Sequence, residues 1–243
     1  SELSAQLQLN VEQRDYQQQA IIANLTAQQP HRNVAYERFT QEGPLALLPL
    51  NEVGRRSGEQ TRCALVLTVP DEKVDALMGL DEQRFLAMVQ EKFGYRLGRL
   101  QRVGERHCYP LRLQRVSDQV RPGLVVMGNA AHTLHPVAGQ GFNLALRGVA
   151  DLASAIAQAC EQDLAPGALT VLQDYLRRRE TDQRQTIAFS DRMIRLFSNN
   201  DLLLSSLRDL GLLALDTIPV AKKLFAQQAM GFSPSMPPAR MGN

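Results

Sequence analysis

Between about residues 16 and 115, several segments rich in apolar, β-branched and aromatic residues are separated by polar and turn residues, a pattern that predicts β-strands. Turn residues at Gly43-Pro44 and around residues 54–58 separate these segments, so we expect neighbouring strands to pair antiparallel. The predicted strands are YQQQAIIANLTA (16–27), VAYERFTQ (34–41), LALLPL (45–50), TRCALVLTV (61–69) and GERHCYPLRL (104–113).

Two segments with helical spacing interrupt this pattern, at residues 71–80 and 81–93. Each begins with an aspartate, Asp71 or Asp81, whose side chain can cap a helix N-terminus by accepting a hydrogen bond from a backbone N–H. We expect the two helices to pack as an insertion against the sheet.

A constrained loop, GNAAHTLHPVAGQGFNLAL (128–146), lies between two hydrophobic stretches. The stretch before it, GLVVMG (123–128), predicts a buried strand. After it, apolar residues recur at spacings of three and four and predict a helix with one apolar face of about five turns. That face consists of Phe142, Ala145, Leu146, Val149, Leu152, Ala153, Ile156 and Cys160. The loop is therefore a strand-to-helix connection.

The pattern stays almost wholly helical to about residue 230, and the Pro- and Gly-rich tail at 231–243 is expected to be disordered. The sequence thus predicts an α+β fold: a largely antiparallel sheet with a helical insertion, then a strand–loop–helix unit and a C-terminal helical region. The expected divisions are 1–120 for the sheet domain, 121–161 for the loop and its helix, 162–230 for the C-terminal helices and 231–243 for the tail.

Composition narrows the classes of partner. Lys and Arg total 27 against 25 for Asp and Glu, and no basic tract is interleaved with aromatic residues, so we expect no nucleic-acid partner. The three cysteines are widely spaced and form no C-x-x-C, which is typical of a reducing compartment, and we expect a cytoplasmic protein. No run of about 18 apolar residues predicts a membrane span.

His132 and His135 are three residues apart, and histidine is a common zinc ligand. Because no carboxylate or second spaced pair completes a ligand set, we expect no metal and assign His132 to packing and hydrogen bonding within the loop. A Ser/His/Asp triad is not expected either, because the sequence has no G-x-S-x-G motif.

Two helical segments allow alternative interpretations. The charged helix DYLRRRETDQRQT (174–186) is predicted to be a solvated face rather than a nucleic-acid or phospholipid patch, because acidic residues are interleaved with its arginines. Residues 202–225 contain more leucines than one buried stripe requires. A buried helix pair is favoured there, and contact with a membrane surface or a partner subunit is the alternative.

Gly139-Gln140-Gly141 lies where the loop enters the helix. A glycine-rich turn at this point offers backbone N–H groups at the positive end of the helix dipole, where an anion or an electron-rich oxygen is stabilised. By spacing alone the motif G-x-G-x-x-L is weak, because it lacks the third glycine of a dinucleotide fingerprint, and a tight turn before a core helix explains it equally well.

The whole stretch G-N-A-A-H-x-x-x-P-x-x-G-Q-G-x-N resembles the second flavin-binding motif of the class A FAD-dependent aromatic hydroxylases. Further similar segments make the chain most similar to the 2-polyprenyl-6-methoxyphenol hydroxylase branch, which acts in ubiquinone biosynthesis. These segments are YERFTQEGPLALLPL (36–50), FGYRLGRL (93–100), YPL (109–111) and RDLGLLALDTIPVAKKLFAQQAMGF (208–232). The resemblance implies FAD contacts from Gly128, Asn129, Pro136, Gly139, Gln140, Gly141, Phe142 and Asn143.

The resemblance also implies how the loop meets the flavin. Pro136 would lie beside the flavin ring, and the N–H groups of Gly139 to Phe142 would face its pyrimidine end. Two positions depart from the family pattern. Asn129 stands where the family usually has an aspartate that accepts hydrogen bonds from the ribityl hydroxyls, and Gly148 stands where it commonly has another aspartate. Asp151 lies one turn beyond Gly148, and we do not assign it that second role.

The family's N-terminal strand with its G-x-G-x-x-G turn, and its later Asp-Gly motif, are not found in these 243 residues. We therefore expect this chain to be the C-terminal part of a longer hydroxylase, with the substrate sheet and half of a flavin site.

The implied reaction is hydroxylation of a polyprenyl phenol by an FAD monooxygenase that uses NAD(P)H and dioxygen. Substrate contacts are expected from the sheet, at Leu47, Pro49 and Tyr109. Candidate further partners are other ubiquinone-biosynthesis proteins and the membrane surface, through peripheral contact at the inner membrane face. One alternative is a non-enzymatic lipid-binding or assembly subunit on the same scaffold, and another is a halogenase or epoxidase of the same family.

Overall fold

The computed structural model describes residues 6–52, 54, 56, 59–136, 139–197 and 223. The described chain forms two compact units. The first, which we call the sheet unit, comprises residues 15–111 with the end of the last long helix, and the second, the loop unit, comprises residues 6–14 and 112–193. The chain passes from one unit to the other within strands, at residues 14–15 and 111–112.

The sheet unit contains strands β1 to β5, all paired antiparallel, with the order β2-β3-β4-β1 and β5 also on β1. Their bounds are β1 Val11–Ala27, β2 Tyr36–Thr40, β3 Gly43–Pro49, β4 Arg62–Pro70 and β5 Leu100–Val103. The antiparallel prediction is confirmed, and each of these strands except β5 was predicted from the pattern of apolar segments and turn residues. The four residues of β5, LQRV, are too short and polar to show that pattern.

One face of this sheet carries the hydrophobic core. Because side chains alternate between the two faces of a strand, Ile21, Ala23 and Leu25 of β1 point to the same side and are buried. Residues at the same spacing on β3 and β4 complete this face, and the helical insertion covers it. The main contributors are Leu45, Leu47, Cys63, Leu65, Leu67, Val69, Phe85, Val89 and Phe93. Burial of this apolar surface is the main stabilising contribution to the unit.

The helical insertion consists of α1 (Val74–Met78) and α2 (Glu82–Phe93). Asp81 caps α2, because its Oδ1 accepts from Arg84 N at 2.8 Å, as predicted. The predicted cap at Asp71 is wrong. Pro70 occupies the N-cap position of a 3₁₀ turn, Asp71–Lys73, and no side chain caps that turn. The proline fixes its own φ at −60°, so the chain turns one residue earlier than the pattern predicted.

The loop unit contains two β-ladders and two long helices. Strand β6 (His107–Val116) enters it from the sheet unit and pairs antiparallel with the two-residue β9 (His132–Thr133). Strands β7 (Val120–Arg121) and β8 (Leu124–Val125) form a hairpin. The helices are α3 (Gln140–Glu161) and α4 (Leu169–Phe197). Together with the antiparallel sheet they confirm the predicted α+β class.

The predicted strand at 123–128 is much shorter than expected. Only Leu124 and Val125 are in β8, both half-buried, and within the described ranges β7 is the partner of β8. Gly123, at a φ of 71°, makes the hairpin turn, so the residues before Leu124 are used in reversing the chain. Val126 is buried and donates its N–H to Gln119 O at 2.8 Å, which extends the hairpin beyond the regular ladder.

The apolar face predicted for α3 lies on the exposed side of the helix. Phe142, Leu146 and Val149 are all more than half exposed. The buried side is formed by Leu144, Arg147, Gly148, Ala155 and Ala159. The small residues Gly148, Ala155 and Ala159 among them allow a close approach of α4, and Arg147 pairs with it, so packing rather than hydrophobicity alone selects the buried face of α3.

Apart from residue 223, the predicted helix pair at 202–225 and the predicted tail at 231–243 lie outside the described residues. Among the helices that are described, none is long and apolar enough to cross a membrane.

Gly43, at the start of β3, tests how closely β3 and β4 pack. Its φ is +143°, and an added Cβ would lie 2.7 Å from Thr68 Cγ2 and 2.9 Å from Thr68 Cβ. We expect Gly43→Ala to lower the free energy of unfolding by about 2–3 kcal/mol, measured by urea denaturation, because backbone strain and overpacking add.

Gly104→Ala is the matched control. Its Cβ would meet Asn24 O at 3.6 Å, an ordinary contact, and the expected change is within about 0.5 kcal/mol. Equal stability of the two variants would contradict the close packing at Gly43.

Candidate functional site

The loop before α3 has two positions that favour glycine. Gly128 (φ 59°) begins a 3₁₀ turn, Gly128–Ala130, and Gly139 (φ 60°, ψ 24°) is the N-cap of α3. Left-handed backbone of this kind is adopted far more readily by glycine than by other residues. Between them, Thr133 Oγ1 donates to Asn129 O at 3.1 Å and Gly139 N donates to Pro136 O at 3.1 Å, which tightens the loop.

In the described part of the chain, there is open space beside the N-terminus of α3, where the loop ends. Gly139, the N-cap residue, has no side chain and so makes no side-chain cap. A Cβ added at Gly139 or Gly141 would meet no atom within 4 Å. Gly141 does not have a positive φ, so the fold of the described chain does not itself require glycine there. The space beside the first turn suits close approach of a ligand to the backbone.

The structure brings the eight predicted cofactor residues into one loop and the first turn of one helix. Gly128, Gly141 and Asn143 are half-buried, and Gln140 is buried, so the loop could use the Gln140 backbone more readily than its side chain. The remaining four residues are exposed, namely Asn129, Pro136, Gly139 and Phe142.

The three predicted substrate residues lie on strands of the sheet unit, and they differ in exposure. Leu47 on β3 is fully buried in the core, Pro49 at the end of β3 is half-buried, and Tyr109 on β6 is exposed.

A buried ion-pair network joins α3 to α4. Arg147 on α3 makes two hydrogen bonds to Asp182 on α4, from Nε to Oδ2 at 2.9 Å and from Nη2 to Oδ1 at 2.9 Å. Its Nη2 also donates to Thr186 Oγ1 at 3.2 Å. A paired guanidinium and carboxylate hold both the separation and the rotation of the two helices, because the two parallel hydrogen bonds require one relative orientation.

Arg179 extends this network beneath the loop. Its side chain is only 2% exposed. Its Nη1 donates to Asp151 Oδ2 at 3.1 Å and also to Asp182, and its Nη2 donates to the backbone carbonyl of Leu144 at 2.9 Å. Arg179 therefore ties α4 to the second turn of α3, directly behind the open N-terminus.

The prediction of a solvated face at 174–186 is wrong for Arg179, which is buried, and for Asp182, which is half-buried in the ion-pair network. It is confirmed for Arg177 and Arg184, whose pairs with Asp174 and Glu180 are exposed. Charge alternation did not distinguish the two sides of the helix. The small residues Gly148, Ala155 and Ala159 on α3 carry the signal that was missed, because a stripe of small residues permits a second helix to come close.

Burial affects the pKa values of Asp182, His132 and His135, and the charges of this network also affect those of Asp182 and His132. Burial acts to raise the pKa of Asp182, but the hydrogen bonds from Arg147 and the charge of Arg179 outweigh it and hold that pKa below the usual value. Burial and the positive charge of Arg179 lower the pKa of His132 to about 4, against the weaker opposite effect of Asp182. Burial lowers the pKa of His135 to about 4. Both rings are therefore neutral at pH 7.

The two histidines do not belong to a metal-binding group in the described parts of the chain, where no three His, Cys, Asp or Glu side chains come together in a way that could hold a metal. His132 lies on β9, whose pairing with β6 places it opposite Arg115.

Asp182 and Asp174 provide a test of the network on a single helix. We expect Asp182→Asn to lower the free energy of unfolding by about 3–5 kcal/mol, because buried Arg147 loses its carboxylate partner and Arg179 keeps only the more exposed Asp151. Asp174→Asn is the control, since its pair with Arg177 is exposed, and it should change stability by less than about 1 kcal/mol. Urea denaturation of both variants checks this, and similar losses would contradict a network that depends on burial.

From the lowered pKa values of His132 and His135, we predict that the free energy of unfolding decreases as the pH falls. Their folded pKa of about 4 lies below the value of 6.5 for an unperturbed ring, so the unfolded chain binds protons first as the pH falls. Stability should be fully present above pH 6.5 and decrease between pH 6.5 and 4. NMR titration of the ring protons should show His132 and His135 neutral at pH 5.5.

His132→Gln should reduce this pH dependence, measured as the free energy of unfolding at pH 7 and pH 5. Ring signals of His132 that titrate near 6.5 would show that its burial does not control its ionisation.

Comparison with known proteins places this geometry in a family. The sequence family described as FAD binding domain matches residues 2–190. Ubiquinone hydroxylase UbiL of Rhodospirillum rubrum is 38% identical over 216 residues, which cover 89% of this chain and 48% of that protein. The 3-demethoxyubiquinol 3-hydroxylase of Escherichia coli K12 is 29% identical, with 89% and 53% covered. The chain thus spans about half the length of the curated relatives it matches.

Solved structures support the fold. The Diels-Alderase PyrE3 of pyrroindomycin biosynthesis superposes with a TM-score of 0.70 over 97% of this chain and 49% of that chain, at 16% identity, which shows the fold alone. The resemblance identified from the loop motif is confirmed by the family match, which covers well over half of the chain. This chain belongs to the FAD-binding domain family.

Proposed function

We propose that this chain is part of an FAD-dependent monooxygenase that hydroxylates the ring of a polyprenyl phenol in ubiquinone biosynthesis, with NAD(P)H as the electron donor and dioxygen as the oxygen source. Its family membership and its similarity to proteins named as ubiquinone hydroxylases support this proposal. The proposal applies to a protein of the length of those relatives, about twice that of this chain.

The open N-terminus of α3 behind Gly139 and Gly141 is the observation that carries the proposal. The N-cap residue Gly139 has no side chain to cap the first turn, and both glycines leave room for a ligand against the backbone of the described chain. A helix N-terminus stabilises negative charge, and a reduced flavin gathers negative charge at its pyrimidine end. Bound FAD would supply the redox chemistry, while the chain binds and orients it and excludes water.

In this proposal residues 121–161 form the second FAD-binding segment. The N–H groups of residues 139–142 face the pyrimidine end of the ring and Pro136 lies beside it. The Asn129 side chain accepts a hydrogen bond from the ribityl chain through its amide oxygen, more weakly than the carboxylate usual in the family. The full proposed set is Gly128, Asn129, Pro136, Gly139, Gln140, Gly141, Phe142 and Asn143.

The sheet domain, residues 1–120, would bind the phenol. Leu47, Pro49 and Tyr109 remain the proposed substrate residues, and the exposure of Tyr109 makes it the most accessible of the three. A cytoplasmic location with peripheral contact at the inner face of the membrane would bring the enzyme to its lipid substrate, with other ubiquinone-biosynthesis proteins as candidate partners.

Gly141→Val tests the flavin contact separately from folding. A valine has open space at this position in the described chain, so the melting temperature should stay within about 3 °C of the control. If FAD lies against the first turn, the branched side chain should raise the Kd for FAD about tenfold or more, measured by flavin fluorescence in the full-length protein.

Ala157→Val, at an exposed position on the same helix, is the control and should bind FAD normally. Unchanged FAD affinity in Gly141→Val would contradict the proposed contact.

The reaction is tested with the full-length protein, a polyprenyl phenol in detergent, NAD(P)H and dioxygen. The expected result is a ring-hydroxylated product formed with consumption of NAD(P)H, detected by mass spectrometry. A protein that binds the phenol but neither binds FAD nor consumes NAD(P)H would instead be a lipid-binding or assembly subunit.

A further inference from the structure

A small cavity lies in the loop unit, and part of its lining comes from residues of the 128–146 loop. Its volume is about 10 Å³, the space that one water molecule requires. The walls come from the turn at Gly128 and from His132, from Gly148 on α3 and from Tyr175 and Arg179 on α4.

Three buried polar atoms belong to residues that line this cavity. Arg179 uses its two Nη groups for the ion pairs and for the Leu144 carbonyl and also interacts with the Tyr175 hydroxyl, but its buried Nε has no partner with hydrogen-bond geometry among the described residues. Neither ring nitrogen of His132 has one there, although the side chain is only 5% exposed. Buried donors and acceptors are almost always satisfied, because an unsatisfied group loses its hydration without replacement.

Gly148 keeps the space beside Arg179 open. A Cβ at this position would lie 3.5 Å from Tyr175 Oη and 3.7 Å from Arg179 Nε, in van der Waals contact with both. Glycine in the middle of a helix is unfavourable relative to alanine. We therefore attribute the glycine at position 148 to the space that the absence of a side chain leaves beside Arg179.

The charges around the cavity favour a neutral occupant. Arg147 and Arg179 are balanced by Asp151 and Asp182 in the same network. An additional ion would bring an unpaired charge into a buried site, which is strongly unfavourable. A water molecule has the right size, can accept from a guanidinium N–H and can donate to a neutral imidazole nitrogen.

We propose that the cavity beside Gly148 is a binding site for one water molecule, which accepts a hydrogen bond from Arg179 Nε and donates one to the unprotonated ring nitrogen of His132. This water connects α4 to β9, immediately after the Gly128–Ala130 turn. It is therefore a positioning element for the loop. The site does not depend on the proposed function, since all its contacts lie within this chain.

A crystal structure of the full-length protein at high resolution tests the site directly. The expected result is density for one water within hydrogen-bond distance of Arg179 Nε and a His132 ring nitrogen. A dry cavity, or an ion there that is revealed by anomalous scattering after a bromide soak, would overturn the proposal.

Two substitutions at Gly148 provide a solution test. Alanine excludes the water and offers Arg179 Nε no partner, whereas the hydroxyl of Gly148→Ser takes the place of the water. We expect the melting temperature of the serine variant to lie about 3 °C or more above that of the alanine variant, although serine is the poorer helix former.

The matched pair Ala157→Gly and Ala157→Ser, at an exposed position on α3, measures the intrinsic helix effect of these residues. An alanine variant at position 148 that is more stable than the serine variant, as helix propensity alone requires, would show that no hydrogen-bonded water is replaced. Neither measurement involves flavin, so failure of the proposed function would leave this result unaffected.

Discussion

The paired guanidinium and carboxylate groups between α3 and α4 are the constraint on which the candidate site depends. Arg147 and Asp182 fix the two helices through two parallel hydrogen bonds, and Arg179 then reaches the carbonyl of Leu144. Charges in such a location are tolerated only when each has its partner, because the loss of hydration is otherwise uncompensated. The network therefore admits one arrangement of the helices, and this arrangement holds the N-terminus of α3 in place.

The same network determines the chemistry of its surroundings. Burial and the charge of Arg179 lower the pKa of His132, so the loop carries a neutral imidazole. The helix dipole then remains the source of positive potential toward the open side of the loop. An electron-rich group bound at Gly139 to Gly141 would be stabilised by backbone N–H groups, without a mobile charged side chain that must be reorganised.

The structure shows the surroundings of the two residues that depart from the family pattern, Gly148 and Asn129. Gly148, where the family commonly carries an aspartate, faces Tyr175 and Arg179, and Asp151 one turn further on supplies a carboxylate to Arg179. The charge balance of the helix pair is thus kept although the residue at 148 is neutral. Asn129, the other departure, is exposed in the loop and takes no part in this balance.

The sequence by itself determined the antiparallel strands, the cap at Asp81 and the loop motif. Apolar strand segments, helix capping and turn residues are local properties of the sequence. It did not determine the buried face of α3, the short β8, the burial of Arg179 or the ion pairs of Asp182. The apolar side of α3, with Phe142 and Leu146, was the stronger local signal, yet the side with Gly148 and Ala155 is buried. Only the tertiary structure decided this, because helix packing depends on how closely two backbones approach and on which distant charges become partners.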